Sequence, residues 1–264
     1  GRQEPELGAR KQATVVAGRG DPAHLPPMPR DDNNPGRRSE PMFNAPPLVL
    51  GVAVGLVALH GLTYLLSPDG QEKLIYDYAL VPQRFFAPAG SPDAYPNLAA
   101  KLVTLVSTGL LHGGWMHVLV NSGMLLAFGA QVLHLLGSGV RGALLWFALL
   151  VVSTGAGSLA FLAFDHLLPS GARAAVGISG GVSGLMGAAF LVGLDGRGGL
   201  VSPRFLTMTF AFLLANLLLG VGGSSIAGAG IAWQSHVGGY VAGAAMMALL
   251  QMSRRQPPPI EDEG

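Results

Sequence analysis

Six runs of apolar residues follow one another after residue 46, at about 48 to 66, 115 to 136, 142 to 164, 178 to 194, 205 to 221 and 235 to 252. Each is near the roughly 17 to 25 residues that a helix needs to cross a hydrocarbon core, and none contains Asp, Glu, Lys or Arg. Membrane strands would alternate polar and apolar positions, and these runs do not. A helix satisfies every backbone group from within its own segment, so the pattern predicts an all-α membrane protein, a bundle of six transmembrane helices.

Polar stretches mark the rest of the organisation. Residues 1 to 46 are rich in Pro, Gly, Arg, Asp and Asn without apolar periodicity, which predicts a disordered tail. The membrane domain is then expected over 47 to 253, with a short tail over 254 to 264. The first apolar run begins too far along the given sequence to be a cleavable signal peptide. The connection from 67 to 112 is too long for a simple hairpin, and a loop of that length is usually functional or carries its own structure. It holds Tyr76, Tyr78, Phe85, Phe86 and Tyr95, amphipathic rings suited to a membrane interface.

Charge and composition sharpen this picture. Only 12% of the 264 residues are charged and half are hydrophobic, about half the charged share of a soluble domain. A net charge of +1 with no basic face argues against nucleic acid as a partner. The absence of cysteine excludes disulfides, thiolate metal sites and a cysteine nucleophile. Arg30, Arg37 and Arg38 precede the first run, Arg141 lies between the second and third, Arg197 and Arg204 between the fourth and fifth, and Arg254 and Arg255 follow the sixth. The opposite connections hold Lys73, Arg84, Lys101 and Arg173, offset by Asp69, Glu72, Asp77, Asp93 and Asp165; cytoplasmic loops carry the excess of cations, and the modest bias puts both termini in the cytoplasm.

Among the polar residues in or beside the runs, the candidates for chemistry are His60, His112, His117, Asn121, His134, Ser179, Ser183, Asn216 and His236. His117 and Asn121 are four apart and share a helix face. His112, five before His117, is expected to face elsewhere, and the spacing does not suit a metal site. Taken alone, His117 and Asn121 suit interhelical hydrogen bonding as well as chemistry. Ser179 opens the fourth run and His236 the sixth, and the topology puts both, with His117 and Asn121, near the non-cytoplasmic side. Gly180, Gly184 and Ala188, and Gly239 with Gly243, form small-xxx-small patterns that let helices approach. A serine needs a base to act as a nucleophile, and histidine supplies one. No acid lies in any run, so a Ser-His dyad is the chemistry available. The backbone N–H of Ser179, the His117 imidazole and the Asn121 amide are candidate donors for an oxyanion.

Three motifs in order give the chain a resemblance to the rhomboid family of intramembrane serine proteases. Gly177-Ile178-Ser179-Gly180 is similar to the family's GxSG, Leu111-His112-Gly113-Gly114-Trp115-Met116-His117-Val118-Leu119-Val120-Asn121 to its second-helix His and Asn pattern, and His236-Val237-Gly238-Gly239 with Gly243 to its last-helix histidine motif. The resemblance implies Ser179 as nucleophile, His236 as general base, and His117 with Asn121 as oxyanion donors. It implies a serine endopeptidase in a bacterial inner membrane that cuts transmembrane protein substrates within the lipid bilayer, with no cofactor and no metal. A catalytically silent relative that binds transmembrane clients is the alternative. Two departures stand out. Gly181-Val182-Ser183-Gly184 makes Ser183 a rival nucleophile, at a position where the family usually has an aromatic that packs on the imidazole. The first-loop Trp-Arg pair is replaced by Val103-Thr104, while Val81-Pro82-Gln83-Arg84-Phe85 resembles a stretch of some bacterial members, so a loop held in a different way is expected.

Overall fold

A computed structural model describes residue 1 and residues 45–137, 139–165, 167–168, 172–193, 198–227 and 230–254, without the side chains of 221–227 and 254. Most of the expected tail over 1 to 46 lies outside the described residues, as does the carboxyl tail beyond Arg254.

The described chain is mostly helical. Helix α1 (Pro47–Thr63) opens on a proline at its first position, where the missing N–H costs nothing. It turns Val49, Ala53, Leu56 and His60 inward at three- and four-residue spacing. The long connection carries three helices, α2 (Pro68–Tyr78), α3 (Pro82–Phe86) and α4 (Leu98–Ser107), the last running into a 3₁₀ turn at Thr108–Leu110. Ser67 caps α2 by accepting from the Gly70 amide at 3.2 Å, and Asn97 caps α4 by accepting from the Ala100 amide at 2.8 Å; such side chains satisfy amides that the helix leaves free.

Helix α5 (Trp115–Met124) continues through a π turn at Leu125–Gly129 into α6 (Ala130–Leu136), forming one 22-residue helix. At the end of the π turn the Gly129 carbonyl accepts from Trp146 Nε1 at 2.9 Å. That bond ties the helix to α7 (Val140–Phe164). Helices α8 (Ser179–Val192), α9 (Pro203–Ala227) and α10 (Trp233–Arg254) complete the bundle.

The stretches Trp115–Leu136, Val140–Phe164 and Pro203–Gly220 are each long and apolar enough to cross a membrane, while Pro47–Thr63 and Ser179–Val192 are shorter apolar helices. Leucines and phenylalanines stand exposed on α1, α5, α7 and α9, the surface that lipid covers in a helical membrane bundle. The chain is an all-α integral membrane protein.

Helix α8 is its axis. Every α8 residue except Ser179 and Phe190 is buried, and α8 packs most heavily on α10 and α7. The packing is backbone to backbone. A Cβ at Gly239 would strike the Gly180 carbonyl, one at Gly243 the Gly184 carbonyl, and one at Gly187 would come within 2.5 Å of the Tyr240 carbonyl. Gly184 also receives the Ser153 hydroxyl of α7. Lipid tails are as apolar as leucine, so this close approach, rather than burial of oil from water, drives association.

Candidate active site

The segment entering α8 is pinned from three sides. Ala175 forms an isolated antiparallel bridge with Leu80 of the long connection, donating to its carbonyl at 2.9 Å. The Thr108 hydroxyl donates to the Ala175 carbonyl, and the Gly177 amide donates to the Thr108 carbonyl at 2.9 Å. Gly177 then turns the chain with φ +100°, a region that L side chains rarely enter. Space makes glycine necessary there as well, because a Cβ would lie 2.6 Å from His117 Nε2 and 3.3 Å from Asn121 Nδ2. Ile178 precedes α8 without any side-chain cap, so the first amides of the helix remain available as donors.

Four predicted site residues are thereby gathered from three helices. Ser179 is the first residue of α8, and His117 and Asn121 of α5 meet against Gly177 just ahead of it. Asn121 is 4% exposed, and its Nδ2 is buried with no hydrogen-bond partner. Leaving a buried donor unpaired costs about 1–3 kcal/mol, and the buried side chains of His60, His112, Ser153 and Ser235 also carry such atoms. His236 comes from α10: the carbonyl of its neighbour Ser235 lies 3.2 Å from a Cβ built at Gly180, and Gly239 abuts the Gly180 backbone. The residues adjoining Ser179 and His236 are thus in direct contact across the seam. Among the described residues no hydrogen bond joins Ser179 to His236; catalytic hydrogen bonds in unliganded enzymes are often long and tighten with substrate. Ser183, one turn further in, is 6% exposed within the α8 interior.

Asn216, to which no motif assigns a role, joins this cluster from α9, where its Oδ1 lies 2.9 Å from His236 Nδ1. The signal available was weak: one amide in a run whose other polar side chains are Thr207 and Thr209.

His112 departs from expectation. Its ring stands edge-on to that of His117 at 5.2 Å and to that of His60 at 6.2 Å. Residues 111 to 114 form a non-helical entry to α5, so helical spacing does not govern where this side chain points. Burial first, and then the neighbouring His117 and His60 rings, push the His112 imidazole down to about 4. His60 is buried and packs on Trp115 and Tyr64 at 4.9 and 5.3 Å.

The long connection is held by Arg84. Its guanidinium lies over the Tyr76 ring at 3.5 Å and the Tyr95 ring at 4.3 Å, and it donates to the carbonyls of Tyr76, Asp93 and Ala94. Tyr95 in turn donates to the Ala79 carbonyl at 2.6 Å and accepts from the Val81 amide at 3.0 Å. Thr104 is wholly buried, its hydroxyl returned to the Lys101 carbonyl at 2.7 Å. One arginine thus fixes the stretch that supplies Leu80 to the Ser179 approach.

Fold and side chains together define an integral membrane helical bundle with a polar cluster enclosed between its central helices. A model of the Rhomboid domain matches residues 99–253, more than half of the chain, and the chain belongs to the rhomboid family of intramembrane serine proteases and their inactive relatives. A search of curated proteins found no match.

Proposed function

We propose that the chain is an active intramembrane serine endopeptidase that hydrolyses peptide bonds in or near the transmembrane segments of other membrane proteins. Ser179 Oγ attacks the scissile carbonyl while His236 Nε2 takes its proton and later returns it to the leaving amine. The oxyanion is received by His117, Asn121 and the open amides at the start of α8. The observation that carries this reading is the unpaired Asn121 amide beside His117, against Gly177 and ahead of a serine at an uncapped helix start. Among the described residues no group takes the Asn121 Nδ2 donor, which leaves it available to an anion that develops beside Ser179.

Helix length supports a recessed site. Fourteen residues of α8 extend about 21 Å, short of the roughly 30 Å hydrocarbon thickness. With α8 ending near one surface, Ser179 lies below the other, and water reaches it from that face. The arginine distribution supports a non-cytoplasmic face there, with both termini in the cytoplasm.

The missing Ser179–His236 hydrogen bond favours a second reading, a relative that holds transmembrane clients without cutting them. Cleavage of a model transmembrane substrate in liposomes decides between them. Ser179→Ala and His236→Ala are expected to abolish cleavage and Ser183→Ala to retain it. A folded wild-type chain that binds the substrate and leaves it intact supports the second reading; cleavage that survives Ser179→Ala and vanishes with Ser183→Ala transfers the role to Ser183.

A further inference from the structure

The hydrogen bond between Asn216 and His236 fixes more than a contact, because the Asn216 amide has only one consistent orientation. Its Nδ2 donates to the Phe212 carbonyl at 2.9 Å, and a carbonyl can only accept. Oδ1 must then be the atom facing His236 Nδ1 at 2.9 Å. A carbonyl oxygen likewise only accepts, so Nδ1 must carry the proton. The neutral ring is thereby held as the Nδ1–H tautomer, with the Nε2 lone pair free. Asn216 is 4% exposed, so water does not compete for either bond.

We propose that Asn216 is a positioning residue for catalysis, a neutral third member that sets the tautomer and orientation of His236 and stabilises its imidazolium when Ser179 gives up its proton. The proposal rests on the protease reading above. When Nε2 takes the Ser179 proton the ring holds both protons, and the Nδ1–H bond to Asn216 becomes charge-assisted and stronger. An amide does this without placing a carboxylate in hydrocarbon, where an ion is costly. It also explains how a helix whose outer surface faces lipid contributes one buried polar side chain at the level of His236.

Few other charges compete for this role. Helix α8 carries no titratable group, α7 carries only Arg141 near its start with Asp165 at its end, and α9 carries only Arg204 at its start. Asp165 accepts from Gln234 at 3.2 Å, and on α10 itself Tyr240 shares a hydrogen bond with Thr209 at 2.6 Å. His117 of α5 is the other titratable side chain near His236.

Two measurements on the full chain test the proposal. In the folded protein with ¹⁵N-labelled histidine, His236 is expected to give the signature of a ring protonated at Nδ1; an Nε2–H tautomer overturns the proposal whether or not the chain is active. Kinetics on a model transmembrane substrate in liposomes form the second arm. Asn216→Leu is expected to lower kcat at least about tenfold with KM little changed. Its acid limb in kcat/KM should move to lower pH by about one unit, because the imidazolium loses an acceptor. Asn216→Asp is expected to move that limb to higher pH. Wild-type kcat and an unmoved limb in Asn216→Leu overturn the proposal, and so does a loss of rate with an unmoved limb, which a purely structural role produces. Labelling of the wild-type chain at Ser179 by a fluorophosphonate tests the protease reading separately, so the two fail independently.

Discussion

Helices α8 and α9 are both apolar, yet they use their residues in opposite ways. Glycines and alanines let α8 vanish into the bundle, with its backbone against α7 and α10. Leu206, Phe210, Leu213, Leu217 and Leu218 leave α9 largely exposed, and of its described side chains only Phe205, Phe212 and Asn216 are buried. In water the helix with the larger hydrophobes would be the buried one. In lipid the order reverses, because large side chains meet tails as favourably as they meet protein and only small ones let backbones close. Each helix then contributes a polar group to one site, Ser179 from the inner helix and Asn216 from the outer.

Enlarging a seam glycine should break this contrast most severely. Gly239→Leu drives a side chain into the Gly180 backbone, which cannot rotate away as a flexible side chain would. The expected outcome is loss of folded, monodisperse protein in detergent, checked by size-exclusion chromatography and thermal denaturation. Leu218→Ala on the lipid face is the control, expected to change stability within about 0.5 kcal/mol; equal damage from both would mean that α8 is not the axis of the bundle. Next in size is the oxyanion donor. Asn121→Ala should lower kcat by about 10² to 10³ with folding intact, and an unchanged rate in the substrate assay would remove Asn121 from the site.

The smallest effect concerns pH. His112 is held near 4 in the fold, below the roughly 6.5 of an unfolded histidine. Between those values the unfolded chain binds more protons than the folded one, so stability should fall as pH drops from about 6.5 toward 4 and level off below. His112→Phe should flatten that part of the profile in thermal-denaturation scans; an identical slope would assign it to other groups.

Much of this was readable from residue type and spacing alone. The six apolar runs announce the helices, and the four-residue glycine intervals announce the α8–α10 seam, because both are local patterns with a single physical cause. Ser179, His117, Asn121 and His236 stood out as candidates because they are polar residues in apolar runs. What escaped depends on how distant segments meet. Asn216 acquires its role from a bond to a residue twenty positions on, and its own helix is too uniformly apolar to show which side faces inward. His112 points to His117 because its backbone is a turn, where helical periodicity has no authority. Arg84 stood in the stretch expected to hold the loop in a different way, but its partners Tyr76 and Tyr95 lie on either side of it only in the fold.

The central claim is that Ser179 is an activated nucleophile in a membrane-embedded site. Incubating the folded chain in liposomes with a fluorophosphonate probe and mapping the adduct by mass spectrometry tests it most directly. A single adduct on Ser179 is expected, lost in His236→Ala and kept in Ser183→Ala. An adduct on Ser183, or none on a folded wild-type chain, would contradict it.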